Sequence, residues 1–289
     1  MKRFLLLIII FGLVACKDTK SARETVVIPN SKLIEVFKAS NSSYPNISVH
    51  RGGKGLLDYP ENCLETLQYI NDSISAVYEV DVAQTKDGQL VLMHDNSIER
   101  TTNGIGLVKD LTYNELKKYN LVDDYGNATT FKIPLFSEVL KWCKANTVIL
   151  TVDIKRSVSQ VIVINAIREV KAEDIAAIIT YDVKQAISAY KHAPELLLSV
   201  SARNHEEVDR LLDAKIPTKN MLAFTGTRLS DTSLYERLHA ENIVCMLGTL
   251  GNLDRQAEAK GNHLYQTWKN KGVDVLATDR PFEAFKAIN

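Results

Sequence analysis

The sequence predicts an α/β fold, and within that class a TIM-type (β/α)8 barrel, irregular at its second and third strands and carrying a small inserted lobe. Three observations lead there. From Ile47 onward, short apolar runs alternate with segments of helical spacing. Those runs are apolar on both faces, as the strands of a parallel sheet covered by helices must be. The chain has 289 residues, and a barrel of this kind takes about 250.

The elements follow in order. Residues 1–16 read as an export signal, with Lys2 and Arg3 ahead of an apolar run over residues 4–14 that is too short to span a bilayer comfortably. Leu13-Val14-Ala15-Cys16 resembles a bacterial lipobox, in which Cys16 becomes the lipidated first mature residue. The alternative is an ordinary secretory signal in which Cys16 is incidental. An acyl anchor would fix the protein to a bacterial membrane, on the periplasmic or the cell-surface side, without spanning it. Residues 17–45 read as a tether with a short helix over 31–39, and residues 46–289 as the barrel.

Residues 47–50 form the first strand. A helix follows over 61–70, with Pro60 just ahead of its start. Strands are then predicted over 76–82, 90–94, 148–154, 176–181, 196–200, 221–224, 243–247 and 273–278, with helices such as 205–215 and 231–242 between them. Nine runs compete for eight places, and residues 221–224 are the weakest of them. Only twelve residues join Asp81 to His94, too few for a crossover helix. A tight turn at Asp87-Gly88 would place Asp81 opposite His94. Residues 96–134 are a long excursion with one short helix around 114–118, read as a lobe over the barrel mouth that shapes substrate access.

Lys plus Arg and Asp plus Glu balance at 35 each, which argues against a nucleic-acid binder while leaving room for a local basic pocket. No obligate protein partner is evident. Cys63, Cys143 and Cys245 show no Cys-x-x-Cys spacing and read as small buried residues rather than a zinc site. There is no Gly-x-Ser-x-Gly elbow, no Walker loop and no His-Glu-x-x-His.

The chemistry gathers at strand ends. Glu79 and Asp81 are two apart, so they share one face of a strand. Two like charges at about 4 Å repel by about 4 kcal/mol at an effective dielectric of 20. A solvated edge or pairing with lysines would relieve that, but the run Ala76-Val77-Tyr78-Glu79-Val80-Asp81-Val82 is too apolar for a solvated edge. A bound cation is the better reading. Asp153 and Lys155 repeat the pattern, Asp153 as a further ligand and Lys155 for a phosphate oxygen, or else as an internal ion pair. Strand ends at the C-terminal face are where such barrels deliver catalytic groups.

His50 and His94 each end a strand beside a charged neighbour, Arg51 and Asp95, and read as a general acid and base. The other four of the six histidines, His192, His205, His239 and His263, read as surface residues. Gly52 and Gly53 would let backbone approach a phosphate. Arg51 and Asn62 are candidate substrate contacts. Glu61 reads equally as a metal ligand or as a helix-start acid. Together these residues are suited to breaking a small phosphodiester with one divalent cation.

The same residues resemble the glycerophosphodiester phosphodiesterase family. His50-Arg51-Gly52 matches its opening motif. Pro60-Glu61-Asn62 matches its Pro-Glu-Asn-Thr, with Cys63 in the last place. Glu79-Val80-Asp81, Thr85-Lys86-Asp87-Gly88, His94-Asp95, Arg100-Thr101-Thr102-Asn103-Gly104, Ile133-Pro134 and Thr278-Asp279-Arg280-Pro281 match later landmarks. The resemblance implies a TIM-type barrel, His50 and His94 as the acid/base pair, and Glu79 and Asp81 as ligands of one Ca²⁺ or Mg²⁺. The family's Glu-x-Lys strand is matched by Asp153 and Lys155, with an acid one methylene shorter. Its late Trp-Thr pair is replaced by Met246-Leu247-Gly248-Thr249, so an aromatic wall from that strand is expected to be missing. Two other functions stay open: a phospholipase-like or sphingomyelinase-D-like enzyme on membrane lipid, and an inactive surface-binding lipoprotein.

Overall fold

The computed structural model describes residues 29–289, so the expected signal and lipobox lie outside the described residues. In chain order, α1 (Leu33–Val36) precedes β1 (Ile47–Val49), and α2 (Leu64–Asn71) leads to β2 (Val77–Gln84) and β3 (Leu90–Leu92). After α3 (Tyr113–Leu116) come α4 (Phe136–Asn146), β4 (Ile149–Ile154), α5 (Gln160–Glu169), β5 (Ala176–Thr180), α6 (Val183–His192) and β6 (Leu198–Ser201). The chain finishes with α7 (His205–Asp213), β7 (Met221–Phe224), α8 (Thr232–Ala240), β8 (Val244–Gly248), α9 (Asn252–Lys260), α10 (His263–Lys269), β9 (Val275–Thr278) and α11 (Pro281–Ile288).

Eight parallel strands close into a barrel in the order β1, β2, β4, β5, β6, β7, β8, β9, with β9 returning to β1. The predicted fold class is therefore correct, but the ninth run is not the one the pattern marked as weakest. Residues 221–224 form a barrel strand hydrogen-bonded to both neighbours. The extra strand is β3, antiparallel to β2. It reverses direction because its connection is a short turn, which cannot carry a chain back for a parallel crossover.

That turn also corrects the expected pairing. Val82 pairs with Leu92, so Asp81 lies opposite Met93, whose N–H donates to the Asp81 carbonyl at 2.9 Å. Thr85 N–H donates to the Gln89 carbonyl at 2.9 Å, which leaves Lys86, Asp87 and Gly88 in the loop. A three-residue hairpin loop needs a left-handed residue, and Gly88 takes it at φ 81°. One more loop residue than expected shifts the register by one and carries His94 just past the ladder.

Side chains on β2 divide by parity. Tyr78, Val80 and Val82 point outward and pack with Leu67 and Ile70 of α2 in the main core. Val77 points inward, into a second cluster with Ala177, Leu222, Val244 and Val275. Leu33, Ile34 and Phe37 belong to that second cluster, and Phe37 stacks on Tyr44 at 5.4 Å between ring centroids. The later part of the expected tether is thus the floor of the barrel. It is fixed further by Ser31 N–H donating to the Glu195 carbonyl at 2.8 Å and Ser40 N–H donating to the Asn242 side chain at 2.8 Å. The lobe after β3 keeps a small core of its own, in which Ile98, Val108, Leu116, Leu121 and Ile133 pack with Met93 and Cys63. Its helix, α3, is set by a capping box from Thr112 and Glu115.

The floor is tested by Phe37→Ala. Phe37 is 1% exposed, and removing a buried aromatic ring costs about 3–5 kcal/mol. Urea unfolding should show a lower midpoint with an unchanged slope. A midpoint equal to wild type would mean that residues 31–44 do not close the barrel.

Candidate active site

Glu79 and Asp81 rise from β2 into the barrel mouth, and Asp153 stands directly beside Asp81 because the β2–β4 register pairs those two residues. Oxygens of all three carboxylates lie within 4.8 Å of one another. Asp81 and Asp153 are buried. Burial and the charges of Asp81 and Asp153 push the Glu79 carboxyl well above its ordinary range. Burial also raises Asp153, aided by Asp81 and opposed by Lys155. Asp81 is likewise disfavoured as an anion by burial, yet Lys155 and Asn62 outweigh that and hold its carboxyl below the ordinary value. The Lys155 ammonium donates to Asp81 Oδ1 at 2.5 Å and Asp153 Oδ2 at 3.3 Å. One lysine against three converging carboxylates leaves an excess of negative charge in a desolvated place. Hard oxygen donors in that number suit Ca²⁺ or Mg²⁺.

The turn after β1 supplies the next layer. Val49 leads into a single 3₁₀ turn, His50–Gly52, in which Arg51 is left-handed at φ 50°. This strained conformation aims the Arg51 N–H at Glu79 Oε2, 2.7 Å away. It also offers the Arg51 carbonyl to Asn62 N–H at 2.7 Å. Gly52 and Gly53, expected to admit a phosphate, are also required by packing. A Cβ on Gly52 would meet Leu67 at 2.5 Å, and one on Gly53 would meet Thr66 at 2.4 Å. The pair lets the turn lie flat on α2.

Asn62 and Glu61 have partners the sequence did not name. Asn62 is buried; its amide donates to Asp81 Oδ2 at 2.7 Å and its oxygen accepts from Asp81 N–H at 2.9 Å. Asn62 thus commits one N–H and one lone pair of its side chain to Asp81, which it orients. Its φ of 53° also explains why α2 starts at Leu64 and not at residue 61. Glu61 stands apart from the other acids. It is 2% exposed and accepts from Arg51 at 3.2 and 3.1 Å and from Arg100 at 3.1 and 2.7 Å. It is the fixed anion that aims two guanidinium groups.

The two predicted histidines lie on the same mouth, and both line a pocket of about 380 Å³ with the three acids. Each has a carboxylate on Nδ1. His50 Nδ1 is 2.6 Å from Asp279 Oδ1, and His94 Nδ1 is 2.6 Å from Asp95 Oδ1. Arg51 donates to His94 Nε2 at 2.7 Å. A guanidinium has donors only, so Nε2 is the bare nitrogen of His94 and Nδ1 carries the proton. Arg100 donates from Nε to Asp95 Oδ2 at 2.6 Å. That bond, with His94, brings the Asp95 carboxyl down to about 2 against its partial burial. Burial opposes the charge on Asp279, but His50, Lys54 and Arg51 together hold its carboxyl below the ordinary value. Asp279 is in turn held by Asp254, which accepts from Asp279 N–H at 2.8 Å, Thr278 at 2.9 Å and Tyr265 at 2.9 Å.

Sequence reasoning passed over Asp279, Asp254, Arg100 and Tyr181 as functional groups. Asp279 carried a local signal, an acid just past a strand end, as Asp153 is near one. Arg100 stood in the Arg100-Thr101-Thr102-Asn103-Gly104 motif, but its partner Glu61, 39 positions away, could not be read from it. The missing aromatic wall on β8 is real, with Met246 there, and the rings beside the pocket come from Tyr181 and Phe224 at the ends of β5 and β7. His239, expected at the surface, is half-buried at the other end of the barrel. Its Nε2 lies 2.8 Å from Asp274 Oδ2, which also accepts the Cys245 N–H at 2.7 Å. Asp274 raises the pKa of His239 above its ordinary value through that bond, against partial burial. Cys63, Cys143 and Cys245 are buried and free.

The glycerophosphoryl diester phosphodiesterase family matches residues 50–282. A crystal structure of a glycerophosphoryl diester phosphodiesterase from Parabacteroides distasonis superposes with a TM-score of 0.81 at 32% identity, covering 89% of this chain and 90% of that one. A phosphodiesterase from Oleispira antarctica, solved with the product sn-glycerol-3-phosphate, shares the fold with a TM-score of 0.67 at 21% identity over 86% of this chain and 98% of that one. The glycerophosphodiester phosphodiesterase of Bacillus altitudinis is 38% identical over 117 residues, 39% of this chain and 46% of that protein. The chain spans less than two thirds of the length of the curated relatives it matches.

Asn62→Ala tests the support of Asp81. It leaves a buried N–H and a carboxylate oxygen without their partner, a loss of about 1–3 kcal/mol readable as a lower urea midpoint. Unchanged stability would show that Asp81 finds other partners.

Proposed function

The chain belongs to the glycerophosphoryl diester phosphodiesterase family, and from that premise we propose that it hydrolyses glycerophosphodiesters to glycerol phosphate and a free alcohol, using His50 and His94 for proton transfer and one divalent cation at Glu79, Asp81 and Asp153. The single observation that carries this reading is the placement of two imidazoles, each with a carboxylate on Nδ1, around one pocket with three converging acids.

Each part has a task. Carboxylates on the Nδ1 atoms fix ring orientation and turn the Nε2 atoms to proton transfer. His94 Nε2, an acceptor to Arg51 in this structure, suits the base that takes a proton from the attacking hydroxyl once a substrate phosphate draws that guanidinium away. His50 then suits the acid that protonates the departing alcohol. Arg51 and Lys155 carry the positive charge that a phosphodiester oxygen would meet, and Glu61 keeps the Arg51 fork aimed. A divalent cation bound by the three acids would stabilise charge growing on the phosphate oxygens. The attacking hydroxyl is that of water, or the substrate's own neighbouring one with a cyclic phosphate formed first. A substrate lacking that neighbouring hydroxyl separates the two, since only direct attack by water can cleave it.

Either His50→Ala or His94→Ala should lower turnover of a glycerophosphodiester by about 10²–10⁴, and chelation should abolish it. A headgroup panel run with Ca²⁺ and with Mg²⁺ would read the preferred alcohol and the preferred ion. Histidine variants that keep full turnover would remove the assignment, and cleavage confined to intact diacyl lipids would move the substrate to membrane lipid.

We place the enzyme outside the cytoplasm on a lipid anchor at Cys16, because Leu13-Val14-Ala15-Cys16 closes the apolar run. The described residues contain no helix long and apolar enough to cross a membrane. Radiolabelled palmitate should enter the wild-type chain and not Cys16→Ser; equal labelling of both would refute the anchor.

A further inference from the structure

His50 and Asp279 are each the first residue past a paired strand end. Val49 of β1 lies beside Thr278 of β9 as the last pair of that ladder, so the next residue on each strand lies beyond the sheet's own bonding. Yet Asp279 Oδ1 comes to 2.6 Å from His50 Nδ1. A contact that close, made by backbone outside the sheet, needs a second anchor. Asp254, in the first turn of α9, supplies it. Its Oδ2 accepts the Asp279 N–H at 2.8 Å. Its Oδ1 accepts the Tyr265 hydroxyl at 2.9 Å and the Thr278 hydroxyl at 2.9 Å. The Arg280 N–H donates to Thr278 Oγ1 at 2.9 Å, so the one proton of that hydroxyl is left for Asp254. The root of Asp254 is fixed as well. Its own N–H donates to the Thr249 carbonyl at 2.8 Å, and the Thr249 N–H donates to the Ala277 carbonyl at 2.7 Å. Asp254 is 3% exposed, and these side-chain donors are all uncharged. A carboxylate buried in that way is costly, and it does not line the pocket.

We infer that Asp254 is a positioning residue for His50: by holding the backbone of Asp279 it places the carboxylate that turns the imidazole toward the departing alcohol. This rests on the acid role proposed for His50 above. Asp254 touches no reacting atom, so its effect is on aim alone. Aim is enough to matter, since a displacement of about 1 Å at a reacting group can cost about 100-fold in rate.

A general acid matters most when the leaving alcohol is a poor one. The test therefore compares two glycerol phosphate esters, one of ethanolamine and one of para-nitrophenol, whose phenolate departs without a proton. His50→Ala should lose turnover on the first and keep most of it on the second. Asp254→Ala in the whole chain should show the same selectivity, with kcat on the ethanolamine ester lowered by about 10–100-fold and KM unchanged. An equal loss on both esters would mean that Asp254 serves only the fold, and it would overturn the role, as would full turnover on both. If His50→Ala loses both esters alike, the acid role of His50 goes, and the part given to Asp254 goes with it. Should Asp254→Ala not fold, Tyr265→Phe removes one donor from the carboxylate and reads the same contrast at smaller amplitude. No effect there, or an equal effect on both esters, would overturn the role of Asp254 while His50→Ala still shows its own selectivity.

Discussion

Three carboxylates are forced together at one end of the barrel, and most of the mouth is arranged to make that tolerable. The β2–β4 register alone brings Asp81 and Asp153 side by side, on strands about 4.8 Å apart. Parity adds Glu79 one step deeper. Such a set is unfavourable away from water unless its charge is answered by donors and cations. Lys155 answers part of it. The Arg51 N–H answers another part, and it can do so only because the turn after β1 is left-handed there and lies close on α2 over two glycines. Asn62 reaches Asp81 from a second left-handed position. The motifs around residues 51 and 62 are thus supports for acids that lie elsewhere in the sequence.

The histidines are held by the same logic at one remove. His94 hangs between Asp95 and Arg51, and both of those lead to Glu61, the second through its own fork and the first through Arg100. His50 is tied through Asp279 to Asp254 and so to the last third of the chain. The two imidazoles are therefore braced from opposite directions, one by the inserted lobe and one by the β8–β9 side. The first brace touches the acid cluster at Arg51, whose N–H also serves Glu79.

Much of this was legible in the sequence, and the limits have physical causes. Period-two spacing at Glu79 and Asp81 and the apolar runs around them are local properties, so barrel, acids and strand-end histidines could be read directly. The histidine pairing with Asp81 was off by one because register in a hairpin depends on loop length, and a glycine in a three-residue loop looks like a glycine in a two-residue one. Residues 90–92 and 221–224 are both short apolar runs; only the connection before each decides which joins the barrel. Glu61 and Asn62 sit beside each other and beside a helix, yet they serve different partners, Arg100 and Asp81, that nothing local names. The floor residues Leu33, Ile34 and Phe37 resembled a tether because a four-residue helix leaves a weak periodic signal.

Only Val77 and Tyr78 of β2 are paired with register partners on β1, whereas β4 is paired with it over Val77–Val82. Past that short seam β3 takes over as partner of β2, and the segment that follows packs on a core separate from the barrel's. The mouth therefore has unequal walls. On one side a continuous ladder fixes the ligand-bearing carboxylates. On the other the wall is a graft, joined where the barrel's own bonding has ended, so changes in its length or composition need not be transmitted to the closed ring. Tolerance to insertion and exchange should concentrate there, while the facing wall keeps its geometry.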